Sequence, residues 1–264
     1  MINFFKRFFG AGNCGAIHAY GITDTGQRRD NNEDCFLIRQ ERRIFIVADG
    51  MGGHNAGEVA SAEAVKALDE FFTSDVVVRM DKDPSSIESL MVDAFHQVNS
   101  HVYTIACQNL DYKGMGCTLI MAYLCGEVLH LCHVGDVRGY LIGASGIRQL
   151  TNDHTEVAEM VRDGAMTAEE ARTSKLKNYL TQAVGQLSAL VPEYYTCQLG
   201  DDECVLLCSD GLWDMLSDAE IQAIFKKNKK IEDICKQLIT EANDAGGHDN
   251  VTVVVFKRHT GENK

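Results

Sequence analysis

The chain has 264 residues, 45% of them apolar and 24% charged, which excludes wholesale disorder and collagen-like or coiled-coil architecture. Its 38 acidic and 25 basic residues give a net charge of −13, which argues against a broad nucleic-acid footprint. No run of about 18 apolar residues occurs, so no transmembrane segment is expected.

The N-terminal segment, residues 1–12, differs in composition from the rest of the chain. Four phenylalanines in it would share one face of a helix, beside Lys6 and Arg7. The segment is interpreted either as a peptide that docks on a membrane surface or a partner protein, or as a tail folded onto the body; its brevity favours the tail. It is too short for a signal peptide, and the ten cysteines form no C-x-x-C pair, so we expect a reduced, cytoplasmic protein without structural zinc.

Short runs rich in Ile, Val, Leu and Tyr, bounded by Gly, Asp or Asn, predict strands along the chain. They are Cys35–Arg39, Arg43–Ala48, Thr118–Tyr123, Val128–Val134, Arg138–Ile142, Cys204–Cys208 and Val251–Phe256. Links as short as residues 143–146 favour antiparallel hairpins over parallel crossovers.

Helical periodicity occurs in two pairs of segments. The first pair has apolar faces over residues 59–72 and 87–105. The second begins with a capping box from Ser217 to Glu220 and continues with an apolar face over 231–239. A polar segment, residues 152–177, holds another capping box at 167–170 and is interpreted as a helical insertion over a sheet edge. Together these elements predict an α+β fold in which stacked antiparallel sheets are covered by helices.

Acidic residues recur where the predicted strands begin or end. They are Asp49, Asp136 and Asp210 after apolar runs, Asp249 before one, and Glu33 with Asp34 at the start of another. Turn chemistry explains any single case, since Asp-Gly is common in turns. Repetition at five positions favours another account, because converging carboxylates repel one another unless a hard divalent cation lies between them. The pattern therefore indicates a metal site.

Seven ordered blocks of sequence indicate a family. They are residues 23–34, 47–54, 115–119, 133–140, 150–154, 207–214 and 247–252. Through these blocks the chain resembles the metal-dependent protein phosphatases of the protein phosphatase 2C type, in particular their compact bacterial serine/threonine members, over roughly Gly21 to Lys257. The resemblance implies a four-layer α-β-β-α sandwich, with two antiparallel sheets flanked by helix pairs and the metal site between the sheets at one end.

The resemblance also assigns roles to the acids. Asp49 is similar to the carboxylate that bridges two Mg²⁺ or Mn²⁺ ions, with the Gly50 carbonyl as a further ligand. Asp210 and Asp249 resemble the remaining direct carboxylate ligands. In the family such an ion pair activates the water that hydrolyses the phosphate ester.

Further residues around these ligands have counterparts in the family. Glu33 is similar to the acid that holds metal-bound water, Asp34 to its outer neighbour, and Asp136 to a ligand of a third metal in many members. Arg29 aligns with the arginine that grips the substrate phosphate, and a guanidinium fork binds two phosphate oxygens as a lysine cannot. Arg28 is the alternative, but adjacent residues usually point apart, which favours Arg29.

Two positions depart from the family pattern. Met51 stands where many eukaryotic members have a histidine proposed to protonate the leaving group. His54 could take that role or stabilise its loop, and the loop role is favoured; metal-bound water is a further source of the proton. Val137 replaces the usual serine after Asp136, which removes a hydroxyl but keeps the carboxylate.

The remaining candidates are interpreted as structural. His130, Cys132 and His133 do not form a soft-metal site, because positions two apart share a strand face and only the first two satisfy that spacing. Trp213 and the run Cys204–Cys208 are expected in the core.

The leading hypothesis is a monomeric protein-serine/threonine phosphatase that acts on phosphorylated proteins and opposes a bacterial-type Ser/Thr kinase. Two alternatives remain: a non-catalytic relative that binds phosphoproteins, and a metallohydrolase of small phosphoesters. We expect residues 15–258 to form the phosphatase domain, with 152–177 as a flap-like insertion, between tails at 1–14 and 259–264.

Overall fold

Two antiparallel sheets form the centre of the protein in a computed structural model that describes residues 17–53, 56–186 and 189–258. The strands are β1 (Ile17–Asp24), β2 (Asp34–Arg39), β3 (Ile44–Met51), β4 (Gly116–Cys125), β5 (Val128–Val134), β6 (Arg138–Gly143), β7 (Gly146–Gln149), β8 (Glu193–Gln198), β9 (Cys204–Cys208) and β10 (Val251–Arg258). One five-stranded sheet has the order β2-β3-β4-β5-β8, and the other has the order β1-β10-β9-β6-β7.

The described residues form eight α-helices, most of which cover the outer faces of the two sheets. They are α1 (Ala56–Phe71), α2 (Ser74–Lys82), α3 (Ile87–Gln108), α4 (Glu156–Arg162), α5 (Ala168–Thr173), α6 (Asp210–Trp213), α7 (Asp218–Lys227) and α8 (Ile231–Asp244). The apolar faces of α1, α2 and α3 bury against the sheet that contains β3 and β4. Those of α7 and α8 bury against β9 and β10. The predicted α-β-β-α sandwich is therefore confirmed.

The inner faces of the two sheets form a third apolar layer. Phe45 on β3 stacks on Phe256 on β10 with ring centroids 3.8 Å apart, and neither ring is accessible to solvent. Fully burying a side chain of this size contributes roughly 1.5–3 kcal/mol to folding. This contact joins the sheets, so the acids at the ends of their strands are held on a rigid frame.

Three strands of the structure were not predicted from the sequence: β1, β7 and β8. Each is an edge strand, and none has the continuous apolar pattern of the interior strands. An edge strand pairs on one side only and keeps much of its surface in water, which weakens the hydrophobic signal. The interior strands, in contrast, lie within a few residues of their predicted bounds.

Both predicted capping boxes are present. The side chains of Ser217 and Thr167 accept hydrogen bonds from the third residue of α7 and α5, and Glu220 and Glu170 reach back to the capping residues. Helices α4 and α5 lie within the segment 152–177, in agreement with a helical insertion. Among the residues that the structure describes, no helix combines the length and hydropathy needed to cross a membrane.

Candidate metal centre

The chain brings acids from separate elements to one end of the sandwich. Asp34 begins β2 and lies directly opposite Asp49 on β3. Asp136 lies in the link that carries the chain from β5 in one sheet to β6 in the other. Asp210 begins α6 directly after β9, and Asp249 precedes β10. Asp49 was expected at the end of a strand, but β3 continues for two residues beyond it, to Met51.

Four of these carboxylates, Asp34, Asp49, Asp136 and Asp210, have a raised pKa. Burial is the largest cause at Asp49 and Asp210, and the neighbouring carboxylates add to it, so both pKa values lie well above the usual range. Burial, assisted by a nearby carboxylate in each case, raises the pKa of Asp34 to about 6 and that of Asp136 to about 7. A cation among them would restore the ionised forms.

The Asp210 carboxylate has one oxygen suited to a cation. Its Oδ1 atom is buried and has no hydrogen-bond donor among the residues that the structure describes. A buried carboxylate oxygen is costly unless a donor or a cation satisfies it. The surrounding donor set consists of carboxylate and carbonyl oxygens, which Mg²⁺ and Mn²⁺ prefer. The residues present therefore fit a divalent cation.

Asp34 is held in a different way, by a serine. Ser209 Oγ donates to Asp34 Oδ2 at 2.7 Å and accepts a hydrogen bond from the Thr252 N–H at 2.9 Å. This chain of bonds crosses from β2 in one sheet to β10 in the other. It fixes the Asp34 carboxylate beside Asp49.

Two glycines keep the backbone beside Asp49 free of side chains. Gly50 N–H donates to the Glu33 carbonyl at 3.1 Å, and a Cβ atom on Gly50 would lie 2.1 Å from the Gly57 carbonyl oxygen. A Cβ atom on Gly57 would in turn lie 2.7 Å from the Glu33 carboxylate. Burial and the nearby Asp249 raise the pKa of Glu33, although Arg29 and the Gly57 N–H oppose the rise. Neither glycine position has room for a larger residue.

Arg29 lies at the exposed rim of the cluster. Its Nη2 atom donates to Asp249 Oδ2 at 2.7 Å, while its side chain stays 48% exposed. The guanidinium therefore combines contact with the acids and access to solvent, which is the position a phosphate-binding arginine needs. Arg28 beside it is also exposed.

Asn250 fixes the link that carries Arg29, although no role was predicted for this residue. Its Nδ2 atom donates to the Thr25 and Asn31 carbonyls at 2.9 and 2.8 Å, and its Oδ1 atom accepts from the Glu33 N–H at 2.8 Å. One buried amide thus holds three points of the β1–β2 link next to Asp249. The only sequence signal for the role of Asn250 was its position between Asp249 and the start of a predicted strand.

The two departures from the family pattern have different surroundings. Met51 Sδ accepts a hydrogen bond from Gln186 Nε2 at 3.3 Å, so it contacts the link before β8. Val137 is fully buried in the apolar layer between the sheets, where its side chain packs rather than facing solvent. His54, the other candidate for acid work, lies outside the described residues.

Trp213 was expected in the core, and that expectation is wrong in part. The indole is only partly buried; it packs on the core but also borders the site. Its Nε1–H donates to the Asp136 carbonyl at 3.0 Å, and the Arg138 guanidinium lies 3.7 Å above its ring. Asp210 and Trp213 are the first and last residues of α6. Residues three apart on a helix lie on the same face, and this spacing was the sequence signal that Trp213 lies near the acid cluster.

An oxygen-rich acid cluster between stacked antiparallel sheets, with an exposed arginine at its rim, defines the centre of a metal-dependent phosphatase. Comparison with known proteins agrees: the family model for protein phosphatase 2C matches residues 24–250. The chain belongs to the protein phosphatase 2C family, as its sequence blocks predicted.

Individual relatives are similar over nearly their whole length. The serine/threonine phosphatase stp of Listeria innocua is 35% identical over 246 residues, which cover 92% of this chain and 96% of the relative. The crystal structure of Stp1 from Staphylococcus aureus has a TM-score of 0.87 at 33% identity, covering 96% of this chain and 99% of that one. The catalytic domain of the phosphatase PstP, in complex with 2 manganese ions, has a TM-score of 0.79 at 33% identity and covers 92% and 98%.

Proposed function

We propose that this protein hydrolyses phosphoserine and phosphothreonine in protein substrates at two divalent cations held by Asp49, the Gly50 carbonyl, Asp210 and Asp249. Its enzyme class is that of its family and relatives: it is a metal-dependent protein-serine/threonine phosphatase that acts on phosphoproteins. The ligand set, the number of ions and the roles of single residues are the proposal.

The buried Asp210 Oδ1 atom is the observation that carries the ligand set. It has no donor in the described part of the chain and lies among acids contributed by β2, β3, the β5–β6 link and the start of β10. Such an arrangement is unfavourable without a positive charge, and it forms only because the two sheets deliver their strand ends to one place.

Each residue has a defined task in this proposal. Bound divalent ions would neutralise the acids and lower the pKa of water in the site towards neutrality. Arg29 exchanges its contact with Asp249 for two oxygens of the substrate phosphate. Glu33, beside the Gly57 N–H, accepts a hydrogen bond from water at the cluster. Asp34, which lies opposite Asp49 in the pairing of β2 with β3, holds the Asp49 carboxylate in position.

We assign the ions as Mn²⁺ or Mg²⁺, two in each site. The oxygen-only donor set supports hard cations, and the PstP structure with 2 manganese ions supports the number. Asp136, together with Asp210, is the proposed ligand pair for a third ion. Met51 cannot donate a proton, so the general acid must be another group.

Two other functions are compatible with the same residues. A phosphoprotein-binding module without catalysis would not need the intact set of Asp49, Asp210, Asp249 and Arg29. A hydrolase of small phosphoesters would use the same acids but has no need for an open rim around Arg29. The protein phosphatase remains the function that the site supports best.

The decisive assay measures phosphate release from a phosphothreonine peptide with Mn²⁺ and then with excess EDTA. We expect turnover that EDTA abolishes and that fresh Mn²⁺ restores. Nucleotides and sugar phosphates serve as competing substrates, and faster turnover of these would favour the small-molecule alternative. Folded protein without activity in either condition would favour the binding module.

Replacing Arg29 with alanine is expected to raise KM for the phosphopeptide by about ten-fold or more, since charge-assisted hydrogen bonds contribute roughly 1.5–3 kcal/mol. The value of kcat should change less. Arg28→Ala is the matched control, because it removes the same charge from the neighbouring exposed position. Equal effects of the two substitutions would show that the phosphate grip is not a property of Arg29.

We propose that the segment 152–177 acts as a flap beside the site and contributes to substrate choice. A cavity of about 450 Å³ lies between it and the body, with Val157, Arg172 and Trp213 in its walls. Lys177 Nζ, at the end of the segment, contacts both carboxylate oxygens of Asp214 at 2.5 and 2.6 Å. This ion pair ties the flap to the residue after α6.

Lys177→Met should therefore raise KM for phosphopeptides several-fold and leave turnover of p-nitrophenyl phosphate, which does not reach the flap, unchanged. Lys175→Met, two residues away at an exposed position, is the control. If Lys177→Met impairs both substrates equally, the flap acts on the fold of the site rather than on substrate choice.

We further propose that residues 15–258 form the catalytic domain between terminal tails at 1–14 and 259–264, both of which lie outside the described residues. In the cell, the protein is proposed to work as a cytoplasmic monomer that opposes a Ser/Thr kinase. Mass photometry of the full chain would test whether the protein is a monomer. Phosphoproteomics after Asp210→Asn replacement would test whether it opposes a Ser/Thr kinase.

A further inference from the structure

The link between β5 and β6 has a geometry that only glycine permits. Gly135 has φ +94°, and a Cβ atom there would lie 2.4 Å from Thr118 Cγ2. The next residue, Asp136, is the proposed third-metal ligand, and its side chain is buried. The place of this carboxylate therefore depends on how the link is held.

One residue, His154, satisfies both backbone groups of Gly135. The His154 N–H donates to the Gly135 carbonyl at 3.0 Å, and the Gly135 N–H donates to His154 Nδ1 at 3.2 Å. His154 is itself buried, and its carbonyl accepts from the Thr181 N–H at 2.8 Å. The link is thus clamped from the segment that leads into α4.

The imidazole ring is held in one tautomer. Because Nδ1 accepts a hydrogen bond, the proton of the neutral ring lies on Nε2, which is 3.4 Å from Glu193 Oε1. Burial lowers the pKa of His154, with Glu193 opposing, which favours the neutral ring. The Tyr195 hydroxyl and Asn152 Nδ2 in turn contact the Glu193 carboxylate.

The bond from Gly135 also disfavours a second metal site nearby. Ligand atoms of His133, His154 and Glu193 lie within 4.8 Å of one another, an arrangement that could bind zinc. Coordination through His154 Nε2 would move the ring proton to Nδ1, where it would face the Gly135 N–H at 3.2 Å. Two N–H donors that face each other at this distance repel, so the neutral ring accepts the hydrogen bond from Gly135 instead of binding a metal.

On the other side, Trp213 holds the same link. Its indole N–H donates to the Asp136 carbonyl, and Arg138, stacked on the indole, is fixed by Asp153 through a guanidinium–carboxylate pair at 2.6 Å. His154 and Trp213 therefore bind successive peptide units of the link between the sheets.

We propose that His154 is a positioning residue for the phosphatase reaction, which fixes the Gly135–Asp136 link and through it the Asp136 carboxylate. The inference rests on the proposed role of Asp136 in the third-metal site. Its chemistry is specific: the group required is a hydrogen-bond acceptor at the position of Nδ1.

Substitution of His154 by asparagine or by glutamine distinguishes a hydrogen-bonding role of the ring from a role in packing alone. The Oδ1 atom of asparagine takes the place of Nδ1, whereas the amide of glutamine lies one bond further out. His154→Gln should raise the Mn²⁺ concentration for half-maximal activity by about ten-fold or more, the usual effect of losing a group that orients a ligand. His154→Asn should stay within a few-fold of the wild type.

A second readout needs neither metal nor activity. Trp213 is the sole tryptophan of the chain, so its indole ¹H–¹⁵N resonance reports directly on the Asp136 carbonyl. In metal-free protein we expect His154→Gln to shift this resonance and His154→Asn to retain it. His133→Asn is the control, since it removes a buried imidazole 4.7 Å away whose ring bonds to Asn152 rather than Gly135.

The proposal fails if His154→Gln leaves both the indole resonance and the Mn²⁺ dependence as in the wild type, or if His133→Asn changes them equally. In the Asp136→Asn background, His154→Gln should add no further loss of activity, because its effect acts through Asp136. If Asp136→Asn alone leaves activity unchanged, the third-metal role fails, while the indole shift still tests the clamp. Should His154→Gln not fold, the imidazole ¹⁵N spectrum of the wild type decides: a proton on Nδ1 at neutral pH overturns the proposal.

Discussion

Replacing Asp210 with asparagine is expected to reduce kcat for phosphopeptides by at least about a thousand-fold, or ~4 kcal/mol in the activation free energy. The amide has almost the same shape as the carboxylate but lacks the charge that would hold a divalent cation. In metal-free protein the same substitution should raise the melting temperature, because burial and neighbouring acids already disfavour the ionised Asp210. Each kcal/mol of relief corresponds to about 2–4 °C at this size.

Asp218→Asn is the matched control for this experiment. Asp210 and Asp218 are the first residues of α6 and α7, so both substitutions remove a favourable charge from a helix N-terminus. Only Asp210 belongs to the acid cluster, and Asp218 is exposed. Phosphate release is measured with Mn²⁺, and melting with EDTA. Near-wild-type turnover of Asp210→Asn would contradict the proposed ligand set.

The second large effect is a dependence of metal-free stability on pH that bound Mn²⁺ reverses. The folded-state pKa is about 6 for Asp34 and about 7 for Asp136, above the unfolded value of 3.8. Groups with a raised pKa stabilise the protein below their unfolded pKa, and this contribution is lost as pH rises through the folded value. Metal-free protein should therefore lose the contribution of these acids between pH 4 and 7.

Buried histidines act in the opposite direction over part of this range. Burial lowers the pKa of His130 and His133 from 6.5 to about 4, so their contribution is present above pH 6.5 and is lost as pH falls. The contribution of Asp136 is isolated by subtracting the melting temperature of Asp136→Asn from that of the wild type at each pH. The stability advantage of the wild type over the variant should be smallest at pH 8.

Mn²⁺ should stabilise the protein more as pH rises, since protons compete with the metal for the same oxygens. At a hundred-fold excess over Kd, one ion adds about 2.7 kcal/mol, or roughly 5–11 °C here. Differential scanning fluorimetry with Mn²⁺ or EDTA from pH 5 to 8 measures this. An Mn²⁺-induced shift that is largest at pH 5 would contradict a cation site built from these carboxylates.

The sequence predicted the interior of the fold better than its margins. Runs such as Cys204–Cys208 are apolar throughout because both faces of an interior strand are covered. The edge strand β8 has no fully buried residue, and β7 has only 4 residues, so neither stands out from a loop. Helix α2 was not predicted either, although the Thr73 side chain caps it.

The clustering of the acids was predictable because strand ends are visible in sequence, and the roles proposed for them come from the family blocks. Residues that act through contacts between distant segments were not. Glu193 reaches His154 from a strand 39 positions along the chain, and the Asn250 amide joins residues more than 200 positions apart. Such pairs leave no local pattern, since their proximity results only from the packing of the two sheets.

In the proposed role of Arg29, its bond to Asp249 makes that carboxylate an internal competitor of the substrate phosphate. Any anion that binds Arg29 must first displace the Asp249 carboxylate, which the fold holds beside the guanidinium at high effective concentration. Chloride and other weakly binding monoanions therefore compete poorly for Arg29. A phosphate dianion, offering two oxygens to the freed guanidinium, can win that exchange. Selectivity for the charge of the incoming group is in this way set before any bond to phosphorus is broken.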